Sequence, residues 1–499
     1  MNRPAALATL QDRSTRWEML VIGGGATGLG VALDAASRGL RTALVEQHDF
    51  AKGTSSRSTK LIHGGFRYLK QGNLALVRES LRERGRLLRN APHLVHPLAF
   101  VVPCQRWWEA TYYGAGLKLY DWFAGAGGME PSRWLSRDAT LALLPNLQPA
   151  GLRGGIRYYD GQFDDAALAL SLAQTVFNHG GIAANYARVT ALLKEGGRVA
   201  GARVTDIESG AEWEIHARVV INATGVFTDS VRLLDEPAAP RVIAASQGVH
   251  LVLRQDFLPG NTALMVPRTE DGRVLFVIPW HGRVLVGTTD TPRTEIALEP
   301  RPLPEEIEFL LRQSGEYLSR RPKVEDILSV SAGLRPLVRL AGARGTASLP
   351  RDHVVLVSPT GLVTITGGKW TTYRQMAADA VDRALEVAGL SGPRCATESL
   401  RLADARQPAS EGGARLHPQL PLTTAEVAFA AREQMARSVE DVLARRTRAL
   451  LLDAQAARAA APAVAAVLAR ELGRDRSWEV EQVTAFAGLA EGHLPARRA

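Results

Sequence analysis

Two apolar runs near the N-terminus, joined by a glycine-rich turn, predict the start of an α/β domain. The run at residues 19–22 ends in the turn GGGATG at residues 23–28, and a small-residue amphipathic stretch follows through Arg38. A second apolar run at residues 42–45 ends at Glu46. Because this order is typical of strand, turn, helix and strand, the sequence predicts the first half of a nucleotide-binding fold.

Later apolar runs predict the remaining strands of two sheets. The runs at residues 218–222 and 362–366 both lead into glycine, and we expect both to join the parallel sheet. Alternating apolar and polar positions between turn residues, at 248–253, 274–279 and 283–287, predict a second and largely antiparallel sheet.

A change of composition marks the last domain. Residues 401–415 contain proline, serine and glycine in a pattern typical of a loop and predict a domain boundary. From Thr423 onward, alanine, leucine, arginine and glutamate recur at helical spacing. This spacing predicts a small all-helical C-terminal domain.

Composition excludes several classes of protein. A chain of 499 residues with 46% hydrophobic and 22% charged residues is typical of a soluble globular protein of several domains. Two cysteines exclude a disulfide framework, and no metal site is expected. The sequence shows neither a signal peptide nor an apolar run long enough to cross a bilayer, so a cytoplasmic location is expected.

The charge balance points to an anionic partner. The chain carries 60 basic and 51 acidic residues, a net charge of +9. Nucleic acid, acidic lipid and a phosphorylated substrate all fit this excess. The C-terminal helical region is close to charge balance and has no basic stripe with interleaved aromatic residues, which argues against nucleic acid.

The glycine motif predicts a dinucleotide site. Gly23 permits a tight turn, Gly25 lets a pyrophosphate approach the backbone, and Gly28 allows the helix to pack closely on the sheet. The helix N-terminus favours the diphosphate, and Glu46 can accept hydrogen bonds from a ribose diol. The motif alone does not separate NAD from FAD.

Three further segments favour a flavin. Residues 54–68 are dense in hydroxyls, cations and glycines, and the strand end at 222–225 brings a second backbone turn toward the cofactor. The GGK sequence at 367–369 opens a predicted helix over residues 371–385. A helix N-terminus at the pyrimidine end of a flavin stabilises the negative charge that develops there on reduction.

These segments resemble the FAD-dependent glycerol-3-phosphate dehydrogenases, respiratory enzymes within the D-amino-acid-oxidase-like flavoprotein superfamily. The resemblance runs essentially from end to end. The segments that carry it are residues 22–30, 54–69 (TSSRSTKLIHGGFRYL), 274–290, 331–337 (SAGLRPL), 351–352, 367–374 (GGKWTTYR) and 438–447 (SVEDVLARRT).

The resemblance implies a Rossmann-type FAD-binding domain interleaved with a mostly antiparallel-sheet substrate domain, followed by the all-helical C-terminal domain. We expect the first two domains within residues 17–400 and the helical domain at 416–499. The expected FAD-binding segments are about 17–105, 150–240 and 330–390, and the expected substrate segments are about 106–149 and 241–329.

The resemblance also implies the catalytic and substrate-binding residues. His63 is the expected base for the substrate hydroxyl, with Arg335 and Lys369 beside it, because oxidation of an alcohol requires removal of the hydroxyl proton. Arginine suits a phosphate because its planar fork binds two oxygens at once. The substrate set is Arg67, Tyr68, Arg335, Arg351 and Lys369. Near Arg351 the chain departs from the family pattern, because His353 stands where a tyrosine is common in relatives.

The cofactor set combines the glycine motif with residues that the resemblance implies. FAD is expected to be held noncovalently, because no Cys or His attachment pattern is visible. The set is Gly23, Gly24, Gly25, Thr27, Gly28, Glu46, Thr54, Ser55, Ser56, Lys60, Leu61, His63, Val189, Ala223, Thr224, Gly225, Gly368, Lys369 and Thr371.

One segment rich in aromatic residues lies outside the predicted cofactor and substrate sites. Residues 105–123 hold seven aromatic side chains, and Arg78, Arg82, Arg86 and Arg89 recur upstream at helical spacing. One interpretation is a packed core hairpin beside a solvated helix face. The other, which the resemblance favours, is peripheral contact with acidic lipid at the inner face of the cytoplasmic membrane.

The expected activity is oxidation of sn-glycerol 3-phosphate to dihydroxyacetone phosphate, with electrons passed to membrane quinone. One alternative is a glycerol-3-phosphate oxidase that uses O₂ and makes H₂O₂. A more distant alternative is a flavin-dependent oxidoreductase of another small hydroxy or amino acid. A homodimer is compatible with the sequence.

Overall fold

Parallel strands form the centre of the first sheet. The computed structural model describes residues 1–65, 73–125, 129–339, 352–406 and 412–495. Within them, eight strands form this sheet in the order β17-β18-β10-β1-β2-β7, with β9 pairing with β10 and β8 with β9. The strands are β1 (Trp17–Ile22), β2 (Thr42–Val45), β7 (Ile182–Ala184), β8 (Ala187–Glu195), β9 (Arg198–Asp206), β10 (Glu212–Asn222), β17 (His353–Val357) and β18 (Val363–Gly367).

Two layers cover this sheet. Strand β1 pairs in parallel with β2 and β10, and β10 pairs in parallel with β18, as the apolar runs predict. Helices α2 (Ala26–Ser37), α6 (Asp165–Asn178) and α9 (Tyr373–Ala388) share one hydrophobic core with it. A second core packs the sheet against the β8–β9 hairpin and α1 (Arg3–Gln11). This is the predicted nucleotide-binding architecture.

The second sheet is larger and mostly antiparallel. Its order is β15-β11-β14-β13-β12-β4-β6-β3, with β16 pairing with β11 and β5 with β6, and its β4–β12 pair is parallel. The strands are β3 (Leu61–Ile62), β4 (Val95–Cys104), β5 (Arg133–Ser136), β6 (Gly154–Phe163), β11 (Ile243–Arg254), β12 (Thr262–Val266), β13 (Leu275–Trp280), β14 (Arg283–Gly287), β15 (Thr291–Arg293) and β16 (Ile327–Val338).

Four strands from the expected FAD-binding segments belong to the second sheet. Strands β3, β4, β6 and β16 lie mostly or wholly in those segments, but they pair in the second sheet. Hydrophobic alternation predicts that a strand exists without indicating its partner, because pairing depends on contacts distant in sequence. Helices α3 (Leu74–Asn90), α4 (Trp107–Ala124), α5 (Arg137–Leu143), α7 (Thr228–Asp235) and α8 (Pro304–Gly315) complete this part of the chain.

The C-terminal region is helical and has its own core. Thr423 caps the first helix: its hydroxyl accepts from the Glu426 amide, and the Glu426 carboxylate accepts from the Thr423 amide. Buried alanine, valine and leucine side chains fill the centre. The elements are α10 (Thr424–Glu433), the π-helical segment Asp441–Arg446, α11 (Ala449–Leu452), α12 (Ala454–Leu472) and α13 (Arg476–Glu491).

The aromatic segment is a single helix and not a core hairpin. One face of α4 buries Tyr113, Leu117 and Tyr120. The other face exposes Trp107 and Trp122, which are 77% and 73% exposed. A core hairpin would have required alternating positions, whereas the buried residues recur at helical spacing. No helix in the described parts of the chain is long and apolar enough to span a membrane.

Candidate active site

The larger of two adjoining cavities lies where the central strands of the first sheet end. It has a volume of about 450 Å³, and residues that end or follow β1, β2, β10 and β18 line it. Ligands of open α/β sheets bind at the carboxyl ends of the strands, so this position is typical of a nucleotide site. We call it the cofactor cavity.

The glycine turn supplies a wall of main-chain atoms. Gly23 has a φ of +111°, and a Cβ there would lie 2.7 Å from the Ala223 carbonyl oxygen. Gly25 caps α2, and the first residues of that helix line the cavity. The amide of Ala26 is oriented by a 2.9 Å hydrogen bond to the Ser55 hydroxyl. A phosphate group fits this wall because the helix N-terminus favours negative charge.

Glu46 is fixed in place at the same wall. Its Oε2 accepts from the Gly24 amide at 2.6 Å, and its Oε1 accepts from the His48 amide at 2.8 Å. Burial raises the pKa of Glu46, and these two amides oppose the rise. Each carboxylate oxygen has a second lone pair, so the group can still accept from a ribose hydroxyl.

Most of the predicted cofactor residues lie on the cofactor cavity. Gly23, Gly25, Thr27, Glu46, Thr54, Ser55, Val189, Ala223, Thr224, Gly225, Gly368 and Lys369 line it, whereas Leu61, His63 and Thr371 line the second cavity. Gly24 and Gly28 line neither. A Cβ on Gly28 would lie 1.8 Å from the Gly23 carbonyl oxygen, so this glycine permits the turn to pack on the helix.

Ser56 and Lys60 also lie away from both cavity walls, and their expected role as cofactor contacts stays a prediction. The Lys60 ammonium donates to Asp165 at 2.6 Å and to the Ser56 carbonyl oxygen at 2.8 Å. Burial lowers the pKa of Lys60 to about 8, although Asp165 favours its charged form. The pattern of cations and hydroxyls around residue 60 did not reveal that a distant carboxylate holds this lysine.

The second cavity has a volume of about 260 Å³ and adjoins the first. Both are lined by Thr54, Pro336, Gly368, Lys369 and Trp370. His63, Arg335 and Lys369 meet on its wall, so the structure brings together the three predicted catalytic residues. The predicted substrate residues Arg67, Tyr68 and Arg351 lie outside the described residues. We call this the substrate cavity.

Arg335 is held rigidly on β16. Its guanidinium donates to the Thr289 carbonyl oxygen at 3.0 Å and to the Thr288 hydroxyl at 3.1 Å, and it lies 3.3 Å from Asp290. A Cβ on Gly248 would lie 2.3 Å from this guanidinium, so the glycine makes room for it. Residues 288–290, which follow β14, therefore orient a cation on the cavity wall.

The turn that carries His63 is anchored by a buried polar cluster that sequence reasoning missed. The amide of Gly64 donates to the Tyr120 hydroxyl at 2.8 Å, and that hydroxyl donates to Asp160. Arg84 pairs with Asp160 at 2.6 Å. Burial raises the pKa of Asp160, and Arg84 opposes the rise. Tyr120 comes from the aromatic helix α4, and no local motif links it to residue 64.

His250 is a second residue on the wall that sequence reasoning missed. Its Nε2 lies 2.9 Å from the Thr59 hydroxyl, and its ring packs against Gly287. Burial lowers its pKa well below the ordinary value, and Lys60 and Arg335 lower it further, so this imidazole is neutral at pH 7. The signal was present in the sequence: His250 shares the cavity face of a predicted strand with Gly248, two positions earlier.

A basic groove lies beside the exposed face of α4. It has a volume of about 680 Å³ and is lined by Arg78, Arg82, Arg89 and Phe123 among others. Arg86 departs from the predicted arginine set, because it is largely buried and pairs with Glu83 and Glu398. Three arginines therefore remain exposed in the groove, next to Phe123.

The cofactor cavity fits a flavin dinucleotide. A glycine turn without side chains, a helix start and a fixed carboxylate match the diphosphate and ribose portions. Gly367 and Gly368, with φ of +81° and +71°, turn the chain so that Lys369 and Trp370 face both cavities.

The chain matches two protein-family models. Residues 18–374 match the model described as FAD dependent oxidoreductase, and residues 359–479 match the C-terminal domain of alpha-glycerophosphate oxidase. Together these models cover both the interleaved region and most of the helical region.

Known proteins show similarity over nearly the whole chain. A probable mitochondrial glycerol-3-phosphate dehydrogenase of Caenorhabditis elegans is 41% identical over 98% of this chain and 76% of its own length. The mitochondrial glycerol-3-phosphate dehydrogenase of Homo sapiens is 41% identical over 97% of this chain and 74% of its own length. The crystal structure of a Bacillus halodurans glycerol-3-phosphate dehydrogenase complexed with FAD is 27% identical, with a TM-score of 0.79, and the match covers 100% of this chain and 98% of that chain.

Proposed function

The chain belongs to the FAD-dependent glycerol-3-phosphate dehydrogenases, and from this premise we propose the reaction and the roles of its residues. The protein uses FAD to oxidise sn-glycerol 3-phosphate to dihydroxyacetone phosphate. The observation that carries the proposal is the junction of the two cavities, where His63, Arg335 and Lys369 face a space that adjoins the cofactor cavity.

The polar residues of the substrate cavity divide into two tasks. Arg335 binds the phosphate end of the substrate, since a guanidinium fork matches two phosphate oxygens, and Lys369 lies beside the substrate hydroxyls. His63 removes the proton of the reacting hydroxyl group. When bound, FAD supplies the acceptor for the hydride of the same carbon. Arg67, Tyr68 and Arg351 complete the substrate contacts in this proposal.

The neutral His250 affects the substrate cavity through two neighbouring residues, Thr59 and Arg335. A charged imidazole next to Arg335 would raise the local positive charge, whereas a neutral ring can accept from the Thr59 hydroxyl without charge repulsion. Thr59 is thereby oriented on the cavity wall. A neutral His250 therefore adds no further positive charge beside Arg335.

Electrons pass to membrane quinone, and the protein binds the inner face of the cytoplasmic membrane peripherally. Support comes from the exposed Trp107 and Trp122 on α4 and from the basic groove at the C-terminal end of that helix. Indole rings favour the headgroup level of a bilayer, and arginines attract acidic lipid. Reaction with O₂ is the alternative, and the exposed aromatic face favours quinone.

An anaerobic absorbance spectrum tests the reaction. Addition of sn-glycerol 3-phosphate to the purified yellow protein should bleach the flavin band within one turnover, whereas glycerol should bleach it far more slowly. A flavin-loaded sample that stays oxidised would contradict the proposal. Turnover with a quinone analogue, compared with oxygen uptake in an oxygen electrode, separates the dehydrogenase from the oxidase.

Liposome sedimentation tests the membrane face. Replacing Trp107, Trp108 and Trp122 with serine should release the protein from vesicles that contain acidic lipid. Activity with a soluble dye should persist, because these side chains lie outside both cavities. Trp134→Ser, which removes another exposed tryptophan, is a matched control on β5. Unchanged sedimentation of the triple variant would exclude this face as the anchor.

A further inference from the structure

One loop forms part of the wall of both cavities. Residues 46–60, here called the cofactor loop, contribute Glu46, Lys52 and Ser55 to the cofactor cavity and Arg57 and Thr59 to the substrate cavity. Among its residues, regular structure is limited to one short 3₁₀ turn, Thr54–Ser56. Main-chain hydrogen bonds tie the loop to Gly24 and Tyr186, and side-chain contacts hold the rest of it.

The strongest of these contacts come from the helical C-terminal domain. Asp49 is fully buried and receives two arginines that are distant in sequence. Arg445 donates to Asp49 at 2.5 Å, and Arg446 binds both carboxylate oxygens, at 2.5 and 2.8 Å. A two-pronged arginine contact fixes the direction of a carboxylate as well as its distance.

A second contact holds the loop at Lys52, three residues after Asp49. The Lys52 ammonium lies 2.5 Å from Glu440, and Arg445 donates to the same carboxylate at 2.6 Å. Burial alone would raise the pKa of Glu440, but Arg445 and Lys52 outweigh it and lower the pKa to about 2. Glu440 is therefore charged at neutral pH and binds the loop as an ion.

The last contact reaches the end of the loop. Arg448 donates to the Ser56 carbonyl oxygen at 3.1 Å and to Asp165 at 2.7 Å. Asp165 in turn accepts from Lys60 and from the amide and hydroxyl groups of Ser58. Residues 440–448, here called the arginine segment, thus bind the cofactor loop at three separate points.

The arginine segment has an unusual backbone. Residues Asp441–Arg446 form a π-helical turn, a conformation that is rare and frequently found at functional sites. Within it, Arg445 also pairs with Asp441, which accepts a hydrogen bond from Tyr186 of the first domain. Removing one member of such a cluster leaves a buried charge unpaired, so the loop would move to reach water.

We propose that the arginine segment is a positioning element of the cofactor site, through which the helical C-terminal domain determines how tightly the protein holds FAD. Arg445 and Arg446 act through Asp49 and do not touch either cavity. The helical domain is then a part of the flavin site as well as a separately packed unit. This proposal rests on the assignment of the cofactor cavity to FAD.

The test is the affinity of the full-length deflavinated protein for FAD, measured by quenching of flavin fluorescence. Arg446→Met should raise the Kd for FAD at least about tenfold, because the buried Asp49 loses its two-pronged partner. Arg446→Lys should fall between wild type and Arg446→Met, since lysine keeps the charge but not the fork. The Asp49→Asn and Arg446→Met changes should be non-additive when combined, as expected for residues in contact.

Leu468→Ala controls for lost stability. Leu468 is fully buried in the core of the helical domain and makes no polar contact with the cofactor loop. The Leu468→Ala change should lower the thermal midpoint of unfolding as Arg446→Met does. The Kd of the Leu468→Ala variant for FAD should stay within about twofold of wild type.

Two results would overturn the proposal. One is a Kd for Arg446→Met within twofold of wild type, and the other is an equal rise in Kd for Leu468→Ala at a matched thermal midpoint. Failure of the wild-type protein to bind FAD would instead reject the assignment of the cavity itself.

Discussion

The cofactor cavity and the substrate cavity of this protein are lined by different kinds of residue. The lining of the cofactor cavity includes glycine and alanine residues at the ends of neighbouring strands, such as Gly23, Gly25, Ala223 and Gly225. The substrate cavity is lined by larger polar and aromatic side chains such as His63, Tyr158 and Arg335. The first binds a ligand by the shape of its backbone, and the second by individual functional groups.

This difference predicts that changes in the substrate cavity separate chemistry from cofactor binding. A side chain that touches only substrate can be removed while the glycine turn, the start of α2 and Glu46 remain in place. Variants of the substrate cavity should therefore keep their flavin and lose turnover.

His63→Ala should have the largest effect. Removal of the base should lower kcat roughly 10²- to 10⁴-fold, and the FAD content of the purified protein should stay unchanged. Steady-state kinetics with a soluble dye and the flavin absorbance measure the two quantities. His216→Ala, on β10 and outside both cavities, is the control. Near-normal turnover would remove His63 from the role of base.

Arg335→Ala should have the next largest effect, which should fall mainly on the KM for glycerol 3-phosphate. Loss of a charge-assisted contact with phosphate should raise the KM for glycerol 3-phosphate about 10- to 100-fold. The KM for free glycerol should change much less, because glycerol has no phosphate. Arg335→Lys controls for the charge left on Asp290, since lysine keeps a cation beside it. Equal effects on both substrates would contradict phosphate binding by Arg335.

Tyr120→Phe should have a smaller effect that shows how the His63 turn is held. The change removes the hydroxyl that accepts from the Gly64 amide, and it should lower kcat about two- to tenfold through the loss of one buried hydrogen bond. FAD affinity should not change. Tyr112→Phe, at an exposed position of the same helix, should retain wild-type kinetics. If both variants behave as wild type, Tyr120 does not position the turn.

Local motifs predicted the cofactor cavity well because it is made of short contiguous segments. The glycine turn, β1, β2 and the strands before Gly225 and Gly367 were all predicted, since each pattern specifies its own backbone conformation. Four strands in the segments expected for the FAD-binding domain, β3, β4, β6 and β16, pair in the second sheet. Strand partners depend on contacts across the whole chain, which alternation along one strand does not encode.

The sequence by itself determined the βαβ start, the dinucleotide motif, the helical C-terminal domain and the family resemblance. Only the tertiary structure revealed that Lys60 is bound by Asp165, that Tyr120 anchors the turn of His63, and that Arg445 and Arg446 meet Asp49. The physical reason is the separation along the sequence of the residues that must interact. A turn or helix is specified by residues a few positions apart, whereas a buried charge finds its partner only when the packed chain brings the two together and excludes water.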